Sequence, residues 1–222
     1  MFFLSLLLIL TVLPPYITYA EDNVSNWWEQ DYWSVEVLTE LGAVPPAYNP
    51  DLNRYEISTP EQLLFMTGIW KPEDSNGDGA PDAPCNGFYV LVNDLDMVSL
   101  NAAIGEILTE KTGLQTAGYI PPIAALADEK EEEGIHCAFF GTLDGQYHVI
   151  RNLRVVRRGS KYCGLFGNIG HDFGEGYAKN LAIWDARIEG LASCGILCGS
   201  LYGDAANIVC TGTIDCQEKT AG

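Results

Sequence analysis

Ile150-Arg151-Asn152-Leu153-Arg154-Val155, Ala178-Lys179-Asn180-Leu181-Ala182-Ile183 and Ala206-Asn207-Ile208-Val209-Cys210 are three versions of one phrase, with asparagines 28 and 27 residues apart. Between them stand Cys163-Gly164-Leu165-Phe166-Gly167 and Cys194-Gly195-Ile196-Leu197-Cys198-Gly199, a second phrase offset by 31 residues. Two interleaved phrases recurring at nearly one period are the mark of a solenoid. Inside each phrase the apolar residues alternate, as in Leu153/Val155, Leu181/Ile183 and Ile208/Cys210, and a period of two denotes a strand with one buried face. Stacked turns place equivalent residues above one another at roughly 4.8 Å, the spacing of paired strands. Leu153 is then expected over Leu181, and Leu181 over Ile208. A single turn cannot bury its own inner face, so the core exists only as neighbouring turns cover one another.

Outward from this stretch, Thr59-Pro60-Glu61-Gln62 is a helix start, with Thr59 as cap, Pro60 at the first helical position and Gln62 three residues on. The helix that follows is expected to plug the N-terminal end of the solenoid, where a cap is needed for solubility. Over residues 26–42, Trp27, Trp28, Trp33, Val37, Leu38 and Leu41 recur at intervals that give an amphipathic helix, stopped by Gly42 and Pro45-Pro46. The expected class is therefore all-β with minor helices, a solenoid of stacked strands with an N-terminal helical cap. Residues 1–20 read as a signal peptide, 21–54 as an N-terminal helical segment, and 55–222 as the solenoid, with insertions at 71–86 and 101–137.

The run from Phe140-Gly141-Thr142-Leu143-Asp144-Gly145 to Asn152-Leu153, followed by Gly164-Leu165-Phe166-Gly167, resembles the GLUG-type repeat of microbial surface proteins. The resemblance continues upstream at Tyr55-Glu56-Ile57-Ser58-Thr59-Pro60-Glu61-Gln62-Leu63 and Tyr89-Val90-Leu91-Val92-Asn93-Asp94-Leu95-Asp96-Met97, and covers about residues 55–216. It implies a right-handed parallel β-helix. Members of that family include adhesin-like proteins and the N-terminal parts of immunoglobulin-A-cleaving zinc peptidases, in which the repeats do not hold the metal.

Residues 2–13 form an apolar run ended by Pro14-Pro15, with Tyr19-Ala20 preceding Glu21-Asp22, which reads as a secretory signal although no Lys or Arg precedes the run. The run is shorter than the ~20 residues of a membrane span. The chain has 222 residues, with 30 acids against 12 bases and a net charge of −18, which argues against nucleic acid or an anionic membrane surface as partner. A secreted or cell-surface location is expected, with no membrane insertion of the mature chain.

The sharpest chemical motif is Asp74-Ser75-Asn76-Gly77-Asp78-Gly79-Ala80-Pro81-Asp82. Oxygen ligands at relative positions 1, 3, 5 and 9 and Gly at 6 match the first part of a calcium loop, but Cys85 stands at position 12 in place of the bidentate Glu. It looks closer to the Asp-rich loops of thrombospondin type 3 repeats or dockerins. Asp74, Asn76, Asp78, Asp82 and the Ala80 carbonyl are the candidate ligands of a structural calcium; a solvated turn uses the same residue types. Arg151, Arg154 and Arg157, with Arg158, form a local basic patch able to grip uronate or sulfate groups by forked hydrogen bonds, or simply to balance nearby acids. Seven cysteines in an exported chain suit disulfides, and an odd number leaves one over. Cys163 and Cys194 fall at equivalent positions, within disulfide range if turns stack, while Cys163, Cys194, Cys198 and Cys210 also suit an apolar interior. Cys85 and Cys137 are a looser pairing.

His136, His148 and His171 make no zinc-spaced pattern, and no motif marks a catalytic residue. Asp144, Asp172 and Asp185 are scattered carboxylates that folding could bring together. Two functions are compatible with these residues: a non-enzymatic surface or adhesion module that binds an extracellular protein or glycan, and a carbohydrate-active enzyme, a polysaccharide lyase or glycoside hydrolase. The enzyme requires a carboxylate pair or a calcium-and-Arg site in a cleft.

Overall fold

The computed structural model describes residues 33–68, 85–124, 138–170 and 176–217. The signal-peptide reading, the calcium-loop residues Asp74, Asn76, Asp78, Ala80 and Asp82, and Cys137, His136, His171 and Asp172 lie outside those residues.

Ser34 caps α1 (Val35–Glu40), its Oγ accepting from Val37 N at 3.4 Å. The helix expected from residue 26 thus begins later in the described chain. Trp33 stands before it in a parallel bridge with Gly68, fully buried, its ring 5.6 Å from that of Tyr119. The segment read as helical to residue 54 also contains β1 (Ala47–Asn49), which turns back on β2 (Arg54–Ile57) as an antiparallel pair. In α2 (Pro60–Phe65) the expected start is present: Thr59 Oγ1 accepts from Gln62 N at 3.4 Å. The Gln62 side chain reaches back past the cap to accept from Ser58 N at 2.7 Å, which fastens the chain entering the helix.

After β3 (Phe88–Leu91) and β4 (Leu95–Asp96) comes α3 (Val98–Thr112), in a region the sequence reading treats as an inserted loop. Leu100, Ile104 and Leu108 stand four apart on one face and are buried, which is what makes the segment a helix. Then follow β5 (Thr142–Asp144), β6 (Val149–Arg151), β7 (Arg154–Cys163), β8 (Phe166–Ile169), β9 (Tyr177–Cys194), β10 (Cys198–Leu201) and β11 (Asp204–Cys216). Nine strands form one mixed sheet, and β8 with β10 forms a second. The chain is predominantly β, and every strand pair except β1–β2 is parallel.

The long strand β9 changes partner twice along its length. Residues 177–179 pair with β5, residues 182–184 with β6, and residues 187–194 with β7. It bends at Asn180 (φ 52°) and Asp185 (φ 56°), both in the left-handed region that Asn and Asp tolerate better than other side chains. β11 lies on β9 along nearly all of this path, with Ile208 on Leu181 and Cys210 on Ile183.

One expected register is wrong. Leu153 is not over Leu181: its carbonyl accepts from Arg187 N at 2.8 Å, while Ile150 pairs with Ile183. Between Asp144↔Lys179 and Val149↔Ala182 the lower rung has two more residues than the upper one, so the phrase at Asn152 falls at the second bend, opposite Asp185. Asn152 (φ 56°) and Asn180 resemble each other because each occupies a left-handed corner, and they are different corners. The second phrase is in the expected register, with Cys163 beside Cys194.

Inside, like positions form columns. Tyr55, Tyr89, Leu143 and Ala178 succeed one another up the first face, with the two tyrosine rings stacked at 5.0 Å. Leu95, Ile150 and Ile183 form the second column, and Ile120, Val155 and Ile188 the third; all six are almost wholly buried. Each such side chain contributes about 1.5–3 kcal/mol of burial. Phe139 links the first column to β8, its ring 6.0 Å from Tyr89 and 4.8 Å from Phe166.

Corner asparagines connect the rungs from outside the core. Asn207 Nδ2 donates to Asn180 Oδ1 at 2.9 Å, and Asn180 Nδ2 donates to Asp144 Oδ1 at 3.0 Å. Burial pushes the Asp144 carboxyl up, but hydrogen bonds from Gln146 N, the Asn180 amide and Lys179 outweigh it and hold the group below its ordinary 3.8.

Candidate functional site

The helix α3 and the residues that follow it stand off the sheet and leave a cleft of about 870 Å³ between them and the second bend of the rungs. Its position follows from a few local contacts. Asn101 Nδ2 on α3 donates to Asn152 O at 2.9 Å, and Asn152 Nδ2 donates to Asp96 Oδ1 at 2.8 Å, so the helix is tied to a corner of the sheet. After the helix ends at Gly113 the chain folds back along it, with Thr116 N donating to Thr109 Oγ1 at 3.0 Å. Gly118 then crosses against the helix so closely that a Cβ there would overlap the Asn101 carbonyl oxygen.

Glu106 and Glu110, one helical turn apart on α3, form the outer wall. Arg154, Asp185 and Arg187 come up from the sheet opposite. Glu189 holds both arginines: its Oε1 accepts from Arg154 Nη2 and forms an ion pair with Arg187 Nε, each at 2.9 Å. Two guanidinium groups stand against two carboxylates here, Glu189 and Asp185, so the formal charges of this wall balance, and Arg187 is the more exposed of the two arginines, at 58%. Asn101 Oδ1 and Arg154 Nε are buried beside the cleft without a hydrogen-bond partner among the described residues. Such unsatisfied atoms are uncommon in folded chains. The arrangement offers carboxylates on both walls and guanidinium donors on one, over a lining to which Val98, Ala102, Ala117 and Leu153 add apolar surface, a mixture that suits the hydroxyls and ring faces of a sugar.

Of the three arginines singled out in the sequence, only Arg154 lines this cleft. Arg151 lies over the Trp184 ring on the adjoining surface, 4.3 Å from its centroid. Arg157 is 2% exposed, and its Nη1 donates to Tyr162 O at 3.2 Å, so alternation turns it inward. Of the scattered carboxylates, Asp185 lines the cleft and Asp144 belongs to the corner ladder. His148 Nδ1 lies 3.0 Å from Asp94 Oδ1, away from the cleft. Backbone donation from Val149, with the His148 contact second, holds the Asp94 carboxyl below its usual value. Glu106 and Glu110 are missing from the sequence reading because α3 is, and Arg187 because its place beside Arg154 is set by the pairing of β9 with β7. The four-residue spacing of Leu100, Ile104 and Leu108 was the available signal.

No group of three or more His, Cys, Asp or Glu side chains among the described residues is arranged to hold a metal ion, and no described helix is long and apolar enough to cross a membrane. No protein-family model matches the chain, and no solved structure matches it. Over 127 residues, 57% of the chain, it is 33% identical to Halomucin of Haloquadratum walsbyi. The chain corresponds to about 1% of that protein's length.

Proposed function

We propose that this chain is an exported, non-enzymatic surface module of the GLUG-repeat kind, built as a right-handed parallel β-helix with an N-terminal helical cap, and that it binds glycan in the cleft beside α3. The observation that carries the reading is the meeting of Glu106 and Glu110 with Arg154, Asp185 and Arg187 across one cleft on a stacked parallel scaffold. Residues on rigid strands hold their spacing, and a helix laid across a corner supplies a second wall. The likeness to a segment of Halomucin supports an extracellular or cell-surface setting. The exposure of the Arg187 guanidinium, 58%, supports glycans with acidic substituents, which it can meet by a forked pair of hydrogen bonds.

The test is a glycan array probed with the full chain and with Arg187→Ala. Binding of uronate- or sulfate-bearing glycans that Arg187→Ala weakens at least tenfold supports the reading. Binding insensitive to Arg187→Ala, or retention of neutral glycans alone, contradicts it.

The carboxylates on opposite walls favour a second reading, a carbohydrate-active enzyme using Asp185 with Glu106 or Glu110. Release of new sugar ends from a polysaccharide that binds, lost in Asp185→Asn, would replace the first reading with this one.

A further inference from the structure

The far end of the rungs carries a cysteine arrangement that the cleft does not involve. Gly190 has no side chain, and the space it leaves is filled by sulfur. A Cβ on Gly190 would lie 2.6 Å from Cys194 Sγ, 2.7 Å from Cys163 Cβ and 3.3 Å from Cys163 Sγ. Cys216 stacks on Gly190 from the other side, as the last residue of β11 in register with it. Three cysteines from three successive rungs therefore converge on one point, with Cys194 in the middle.

We propose that Cys194 and Cys216 are a redox-closable pair, joined by oxidation into a disulfide that ties the outermost rung to β9. The choice between the two neighbours of Cys194 follows from access and existing contacts. Cys163 is shut off from solvent, and its Sγ donates to Glu189 O at 3.3 Å. Cys216 is exposed, its Sγ directed toward Leu191 O at 3.8 Å, and its place beside Gly190 puts it next to the position that Cys194 Sγ fills. The need for a tie is greatest there too. β11 pairs only with β9 among the described strands, and Val209 and Ile214 on it are exposed, at 57% and 48%.

The step is thiol–disulfide exchange with a low-molecular-weight disulfide. Cys216, as thiolate, attacks one sulfur of that oxidant; its S–S bond breaks, a mixed disulfide forms and one small thiol leaves. Cys194 then loses its proton and displaces the second small thiol, forming the Cys194–Cys216 bond. The two cysteines are oxidised by two electrons, the oxidant is reduced to two thiols, and those thiols carry off the two protons. The order is fixed by the environment. Burial, with the contact to Cys216 next, pushes the Cys194 thiol up to about 12, so it is a poor first attacker.

The full chain, reduced and then incubated with glutathione disulfide, is digested without reduction and mapped by mass spectrometry. The expected product links the Cys194 and Cys216 peptides, while Cys163 stays a thiol. Cys194→Ser is expected to leave glutathione on Cys216, and Cys216→Ser to abolish the linkage, with circular dichroism confirming that both variants keep the fold. A dominant Cys163–Cys194 peptide, or Cys194 and Cys216 unlinked in the wild-type chain, overturns the assignment.

Discussion

Replacing Asn180 separates the two reasons for a corner asparagine, because its side chain connects rungs and its backbone is left-handed. Asn180→Ala removes the bond to the Asp144 carboxylate, worth about 1.5 kcal/mol at the lower end for a charged acceptor, and the exposed bond to Asn207, worth about 0.5 kcal/mol. It also places a Cβ-bearing residue without a polar side chain at φ 52°, which costs about 1 kcal/mol. The expected loss is about 3 kcal/mol for Ala and about 2 kcal/mol for Gly, which is free of the backbone penalty. Equilibrium urea denaturation followed by circular dichroism measures both variants. Asn207→Ala in the Asn180→Ala background should cost less than it does alone, since the bond between them is already gone. Equal losses for Ala and Gly would show that the corner imposes no backbone constraint. Fully additive effects at Asn180 and Asn207 would show that the bond between them contributes nothing to stability.

Acid should act through the same ladder. Asp144 titrates below its ordinary value when folded, so its contribution is complete above pH 3.8 and is lost as pH falls through its lower folded value. Asp144→Asn should flatten the acid limb of a stability–pH curve, and a limb identical to wild type would rule this contribution out. Phe139→Ala removes the ring between Tyr89 and Phe166 and should cost about 3–5 kcal/mol, whereas Val209→Ala on the exposed outer rung should stay within about 0.5 kcal/mol. Thermal or urea unfolding distinguishes these, and similar losses at both positions would mean that Phe139 is not the core link described. Gly118→Ala forces the returning chain off α3 and should reduce glycan affinity at least tenfold; undiminished binding on an array would place the ligand elsewhere.

The β character and the stacking of Ile208 on Leu181 are legible in the sequence because alternation and repetition report directly on burial. The misplacement of Leu153 shows where repetition misleads. Asn-Leu at 152–153 and at 180–181 satisfies the same local demand, a left-handed corner followed by an inward apolar residue, at two different bends. Only the extra residues at 145–148 distinguish them, and these are visible once the strands are paired. The cleft was less legible still. Arg154 drew attention as part of a basic cluster, but its neighbours Glu106 and Arg187 are 48 residues before it and 33 after it, brought together by the helix and the next rung. Arg157 looked equivalent to Arg154 in sequence. The alternation Leu153/Val155 already turns Arg157 inward, whereas the Tyr162 carbonyl that accepts from it there is an acceptor no spacing rule indicates.

The central claim is that an acidic glycan enters the cleft between α3 and the second bend. Titration of the isotopically labelled chain with an array-selected glycan, followed by amide NMR, tests it residue by residue. The expected result is a set of shifts confined to Glu106, Thr109, Asp185, Arg187 and their immediate neighbours. Shifts centred instead on Trp184 and Arg151, or spread along β11 with none on α3, would contradict it.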